Sequence, residues 1–212
     1  MTGYPPEITE RQVDDPEQAR SGWVGEAGPP SQPIVVVDAD PSWPIWFADE
    51  AARIGALLGG VAISIEHVGS TSVPDLPAKP IIDIDVLVAD SSAEDGYVSV
   101  LERAGYRHVL REPWWNGHRM LVGPGGRFNL HVFPSGAPEP VRHLLFRDWL
   151  RSHPDDRQLY ADAKLRLADE TATNPEAYNL AKNTVIDDIY SRIFAVPPES
   201  HPSWARSSHR YR

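Results

Sequence analysis

The run IIDIDVLV at residues 81 to 88 alternates apolar and acidic side chains, and this alternation limits what the chain around it can become. Side chains of a strand point in turn to its two faces, so Ile82, Ile84, Val86 and Val88 share one face while Asp83 and Asp85 share the other. The apolar face must pack on a core. The acidic face sets two carboxylates roughly 7 Å apart at Cα, near enough to converge on one cation or to straddle a close pair of cations. Left unpaired in a partly buried site they are costly, and a metal or a raised pKa is the usual relief. Alone, the pattern also admits a solvated edge strand with two exposed acids. Mutual repulsion predicts that changing both to Asn leaves the unliganded fold intact or firmer.

The flanking sequence reads as mixed α and β. PIVVVDAD is a short strand, and Asp40 with Pro41 forms the N-cap and first-turn pair of a helix running to about Leu58. Trp43, Phe47, Ala51, Ile54 and Leu58 give that helix one apolar stripe. VAISIEHV is a further strand, a helix from about Ser92 to Ala104 stops at Gly105, and HRMLVG and RFNLHVF are strands on either side of the turn GPGG. From Glu139 the pattern turns helical, with breaks at SHPDD and TATNPEA. Strands first and helices last predict an α+β fold: a mixed sheet with flanking helices, then a C-terminal helical subdomain. The expected divisions are a flexible acidic arm over residues 1–32, a sheet domain over 33–138, a helical subdomain over 139–196 and a frayed tail over 197–212.

Composition narrows the class. With 212 residues, 41% of them hydrophobic, the chain can bury a sizeable core. A net charge of -10 without a long basic run argues against a dedicated double-stranded nucleic-acid binder. No cysteine is present, which removes disulfide frameworks and thiolate metal sites. No apolar run approaches the ~20 residues of a membrane span, and the N-terminus lacks the features of a signal peptide, so the cytoplasm is expected.

The loop before the acidic strand adds chemistry. VGSTSVP places Gly69, Ser70, Thr71 and Ser72 straight after a strand, a composition able to aim amides and hydroxyls at phosphate. A Gly-Ser turn followed by Asp-x-Asp on the next strand resembles the signature of the nucleotidyltransferase superfamily with the DNA polymerase beta fold. The blocks DADPSWPIWFADE, IEHVGSTSVPDLPAKPIIDIDVLV, NLHVFPSG, HLLFRDWLRSHPDDRQLYADAK and EAYNLAKNTVIDDIY narrow the resemblance to the GrpB family, across roughly residues 34 to 195. What this implies is a nucleotidyltransferase-like sheet domain in which the Gly-Ser turn holds a triphosphate and Asp83 and Asp85 hold divalent cations. Fold alone does not assign the reaction.

The resemblance also implies a third acid on a later strand, where this chain has His131. Arg127, Asn129 and His131 share one face of that strand. His131 is a third metal ligand, favouring Mn²⁺ or Zn²⁺ over Mg²⁺, a general base titrating near neutrality, or a core histidine bonded to a neighbour. His67 either lines the site or fills the sheet. Lys79 either balances the two acids or touches phosphate. Arg119 on a middle strand is expected to face the cleft, and Arg147, Lys164, Tyr178 and Lys182 to form a cationic wall opposite the acids, with an Arg147–Asp148 charge pair as the plainer alternative. The function expected is metal-dependent nucleotidyl transfer from ATP or another NTP to a small-molecule acceptor. Two rivals stand beside it: a non-catalytic nucleotide or metal binder, and a metal-dependent enzyme that uses no NTP.

Overall fold

A computed structural model describes residues 3–12, 16–26, 28, 34–170 and 175–207. In chain order the elements are α1 (Pro6–Thr9), α2 (Pro16–Ser21), α3 (Trp43–Leu58), β1 (Ser64–Val68), β2 (Ile82–Val88), α4 (Val98–Arg103), β3 (Arg107–Glu112), β4 (His118–Val122), β5 (Phe128–Pro134), α5 (Pro138–Ser152), α6 (Pro154–Glu170), α7 (Pro175–Ala195) and α8 (Pro202–Ser207). The described strands form one mixed sheet in the order β1-β2-β5-β4-β3. Its centre is the parallel pair β2 and β5, and the other neighbours run antiparallel. The α+β architecture with a helical C-terminal part is as expected.

Period two governs the sheet. Ile82, Ile84, Val86, Leu121, Leu130 and Val132 are fully buried on one face, packed against Trp43, Ile54 and Leu58 of α3 and Leu101 of α4. Burial of each such side chain stabilises by about 1.5–3 kcal/mol. The opposite face carries Asp83, Asp85, Asn129 and His131, and parallel pairing sets Asp83 beside Asn129 and Asp85 beside His131. A second apolar cluster joins Val73 and Leu76, just after the Gly-Ser turn, to Leu145 and Trp149 of α5, Tyr160 of α6 and Ile189 and Ile193 of α7. The helical part is thereby docked on the turn that precedes the acidic strand.

Several elements differ from the sequence expectation. PIVVVDAD contributes only one bridge, Val37 with Ala78, because the chain leaves the sheet to enter a turn. In that turn Asp40 accepts the Ser42 amide at 2.8 Å, so α3 starts at Trp43, and Pro44 occupies its first turn. The helix expected from Ser92 shrinks to a single 3₁₀ turn at Glu94–Gly96 followed by Val98–Arg103. Strand β3 had no counterpart in the expectation. Its register shifts between His108 and Leu110, which breaks the alternation that would have marked it.

The described part of the expected mobile arm is docked. Ile8 is 0% exposed in the second cluster, and Arg11 pairs with Asp187 of α7 at 3.1 Å. Trp23 bridges Leu110, with the Val24 amide donating to Val109 O and the Arg111 amide to Gly22 O. This covers the otherwise open edge of β3. Two apolar anchors, Ile8 and Trp23, suffice where a composition average gives no signal. Ile8→Ala is expected to cost about 2 kcal/mol, the low end for such truncations because a one-turn segment can relax; a free arm would give an unchanged urea midpoint.

Candidate functional site

The acidic face of β2 is roofed by α5. His143 Nδ1 lies 2.8 Å from Asp85 Oδ2, and Arg147 donates to the His67 carbonyl at 2.9 Å and to Glu66 at 3.1 Å. Asp85 is 2% exposed, and its Oδ1 is buried without a hydrogen-bond partner. Asp83 accepts from Asn129 Nδ2 at 2.9 Å and has His131 Nε2 at 3.6 Å from the same oxygen. Burial opposes ionisation of Asp83, but His131, Asn129 and Lys79 outweigh it and hold the carboxyl below its usual range. For His143 burial is likewise overcome by Asp85, Glu139 and Asp83, which push its pKa up to about 9. The two acids are therefore compensated by different partners, and the simple repulsion expected from the sequence does not describe them.

The Gly-Ser turn is built against Asp83. Gly69 has φ +68°, and a Cβ placed on it would meet Asp83 Oδ2 at 2.4 Å. Only glycine permits both the left-handed backbone and the contact. Ser72 Oγ donates back to Gly69 O at 2.6 Å, and Arg151 of α5 donates to Ser72 O at 2.7 Å. Ser70 stands beside the Tyr160 hydroxyl. Thr71 is drawn away from the cleft by His67, whose Nε2 is 3.0 Å from Thr71 Oγ1. His67 registers with Ile84, stacks on Phe47 at 4.6 Å and has its pKa pushed by burial to about 4. The packing reading of His67 holds.

The basic residues divide into two groups. Arg147 spends its donors on Glu66, Asp148 and the His67 carbonyl, tying α5 to β1. Arg119 registers with Val132 on the core side of the sheet and binds Glu94 and the Gly117 carbonyl, so it does not face the cleft. The lysines behave otherwise. The chain contains three, Lys79, Lys164 and Lys182, against seventeen arginines; Lys79 and Lys182 feel the charge of Asp83, and Lys164 lies near enough to Lys182 to be repelled by it. The Lys79 and Lys182 ammonium groups lie 5.4 and 4.8 Å from the Tyr178 ring centre, and that of Lys164 lies 4.7 Å from the Tyr160 ring. Lys164 also donates to the Pro77 carbonyl. No described carboxylate stands within ion-pair distance of any of them; every such pair among the described residues uses Arg or His. Burial, followed by the charge of Lys182, depresses Lys164 to about 7. Lys79 is lowered by the same two causes.

A row of polar groups that sequence reasoning missed continues the cleft across the sheet. Glu112 on β3, His118 on β4 and His131 on β5 are joined by contacts of 2.7 and 3.0 Å, ending at Asp83. His143, four residues after Glu139 on one helical face, also escaped notice, although that spacing is a sequence signal for a paired cation. Hard oxygens at Asp83 and Asp85, one of them buried and unpartnered, suit a cation that completes its shell with ligand phosphates. Among the described residues no three His, Asp or Glu side chains are arranged to hold a metal ion by themselves. No described helix is long and apolar enough to cross a membrane.

Comparison with known proteins places this geometry. The family model described as GrpB protein matches residues 33–192. A UPF0157 protein of Halalkalibacterium halodurans is 46% identical, over 84% of this chain and 92% of its own length. A dephospho-CoA kinase of Mycobacterium tuberculosis is 32% identical over 76% of this chain, a match confined to 46% of the kinase. The crystal structure of the conserved protein GrpB from Enterococcus faecalis superposes with a TM-score of 0.69 at 33% identity, covering 76% of this chain and 98% of that one. Matched by the family model over residues 33–192 and by relatives alike in sequence and fold over most of its length, the chain belongs to the GrpB family.

Proposed function

We propose that the cleft binds a nucleoside triphosphate with a divalent cation and transfers its nucleotidyl group to a small hydroxyl-bearing acceptor. The observation that carries this reading is the gathering of the chain's three lysines about Tyr160 and Tyr178, near Asp83, with no carboxylate among the described residues within ion-pair distance. Amines held so close together repel one another and lose solvation, and a polyanion is the ligand that relieves both. The Gly69–Ser70 turn touches Asp83 and, through Ser70, the hydroxyl of Tyr160, whose ring carries Lys164; its amides and hydroxyls are the groups that would meet phosphate oxygens. A cation held by Asp83 and Asp85 would offset charge developing at phosphorus. The acceptor oxygen bonds to the α-phosphorus and its proton passes to His131 Nε2. The bond from that phosphorus to the bridging oxygen breaks, and pyrophosphate departs onto the lysines. Thr71, Arg119 and Arg147 have structural roles and take no part.

A thermal-shift screen of nucleoside triphosphates and pyrophosphate against Mg²⁺, Mn²⁺ and Zn²⁺ tests the reading, because a ligand selective for the folded state raises its stability. At least one triphosphate with metal is expected to raise Tm. Lys164→Met keeps the volume of the side chain and is expected to weaken that ligand about 10–100-fold, the loss of one charge-assisted contact. No shift with any pair, or a shift indifferent to Lys164→Met, would refute the proposal. Saturable binding without pyrophosphate release on any acceptor would identify a sensor. Metal binding without nucleotide binding would identify an enzyme of another kind.

A further inference from the structure

The row Glu112, His118, His131 and Asp83 spans four adjacent strands on one face of the sheet. Its hydrogen bonds have a direction. Burial raises the pKa of the Glu112 carboxyl, but once ionised it only accepts, and the 2.7 Å contact then requires the proton on His118 Nδ1. A neutral His118 then has a bare Nε2, which accepts at 3.0 Å from Nδ1–H of His131. A neutral His131 is left with a bare Nε2, 3.6 Å from Asp83 Oδ1, and a proton taken up there gives the cation that holds Asp83 ionised. The neutral form is the reverse of the Nε2–H tautomer that a free histidine side chain prefers in water. The His118 ring is itself fixed, buried at 3% exposure between the edge of Trp115 at 5.1 Å and the face of Phe133 at 4.8 Å.

We infer that Glu112 and His118 are positioning residues that lock His131 in the Nδ1–H tautomer and so present its bare Nε2 to the cleft beside Asp83. The inference rests on the reading of His131 as the base that receives the acceptor proton. It also gives a reason for histidine at this place. A neutral imidazole offers one bare nitrogen, and the hydrogen bond made by its other nitrogen decides which one that is. Neither Glu112 nor His118 reaches the reacting atoms. Their action is transmitted through the His131 ring, one strand from His118 and two from Glu112.

The full chain labelled with ¹⁵N-histidine tests this by long-range ¹H–¹⁵N correlation at pH 8, with His131→Gln used only to assign the ring. In the native protein His131 is expected to show a protonated Nδ1 and a bare Nε2. In His118→Phe, which retains the stack on Phe133, it should move to the Nε2–H form. Acylation of His131 by diethyl pyrocarbonate, followed by peptide mass spectrometry, should then slow about tenfold, the lower end of effects from such outer partners. A native His131 already in the Nε2–H form, or a tautomer and acylation rate unchanged in His118→Phe, would overturn the inference. Should His118→Phe not fold, the native spectrum alone decides. The readout needs no nucleotide, so a protein that binds no triphosphate would refute the function proposed above while leaving this result standing.

Discussion

Asp85→Ala is expected to lower stability by about 3 kcal/mol at pH 6 and by much less at pH 10, read as urea midpoints at the two pH values. Removing one partner of a buried ion pair costs about 3–5 kcal/mol, and His143 at 27% side-chain exposure belongs at the low end. The pH dependence follows from the same pair. His143 titrates near 9 in the folded chain against 6.5 for an unperturbed histidine. A folded pKa raised above the unfolded value contributes stability that is fully present below 6.5 and lost as pH rises through about 9. At 1.36 kcal/mol per unit, this contribution is on the order of 3 kcal/mol. The native protein should therefore weaken between pH 6.5 and 9, and Asp85→Ala should flatten that decline. Glu139, 3.6 Å from His143 Nε2, will preserve part of it. Equal losses at both pH values would show that His143 is not the partner that matters. A firmer variant, as repulsion between two bare aspartates would give, would show the same.

Gly69→Val should be nearly as costly and should also empty the site. The left-handed backbone at +68° costs a branched side chain about 1–2 kcal/mol, and forcing the added carbons against Asp83 costs about 1–3 kcal/mol more. Relief can come only by moving Asp83 from Asn129 and His131 or by moving the turn from Arg151. Either motion separates the acids from the amides of the Gly69–Ser70 turn. Loss of about 2–5 kcal/mol with no residual triphosphate-dependent Tm shift is the expected result. A folded Gly69→Val with native ligand response would mean that the turn does not set the geometry of Asp83.

What could be read in the sequence is what local periodicity encodes. The burial of Ile82, Ile84 and Val86, the shared face of Asp83 and Asp85, and the alignment of Asn129 with His131 all follow from a period of two. The partners of those residues do not. His118 reaches His131 only because β4 lies beside β5, and His143 reaches Asp85 only because α5 crosses the sheet, arrangements fixed by topology. Arg119 and Arg147 were misplaced for the converse reason. Position in a block says that a cation is near, while the carboxylate that captures it, Glu94 or Glu66, comes from elsewhere in the chain. The N-terminal stretch shows the limit of composition, since burial of Ile8 depends on a cleft assembled by α5 and α7.

The confinement of lysine to one cleft also changes what ordinary reagents can do to this protein. Amine-directed chemistry usually decorates a whole surface, but here its side-chain targets are Lys79, Lys164 and Lys182 alone, the remaining basic side chains being guanidinium or imidazole. Reductive methylation with ¹³C-formaldehyde would therefore install reporters in the cleft and at the α-amino group and nowhere else. Lys164, with a pKa near 7, carries a large unprotonated fraction at neutral pH, and its 2% exposure makes its modification a measure of how often the helical roof opens.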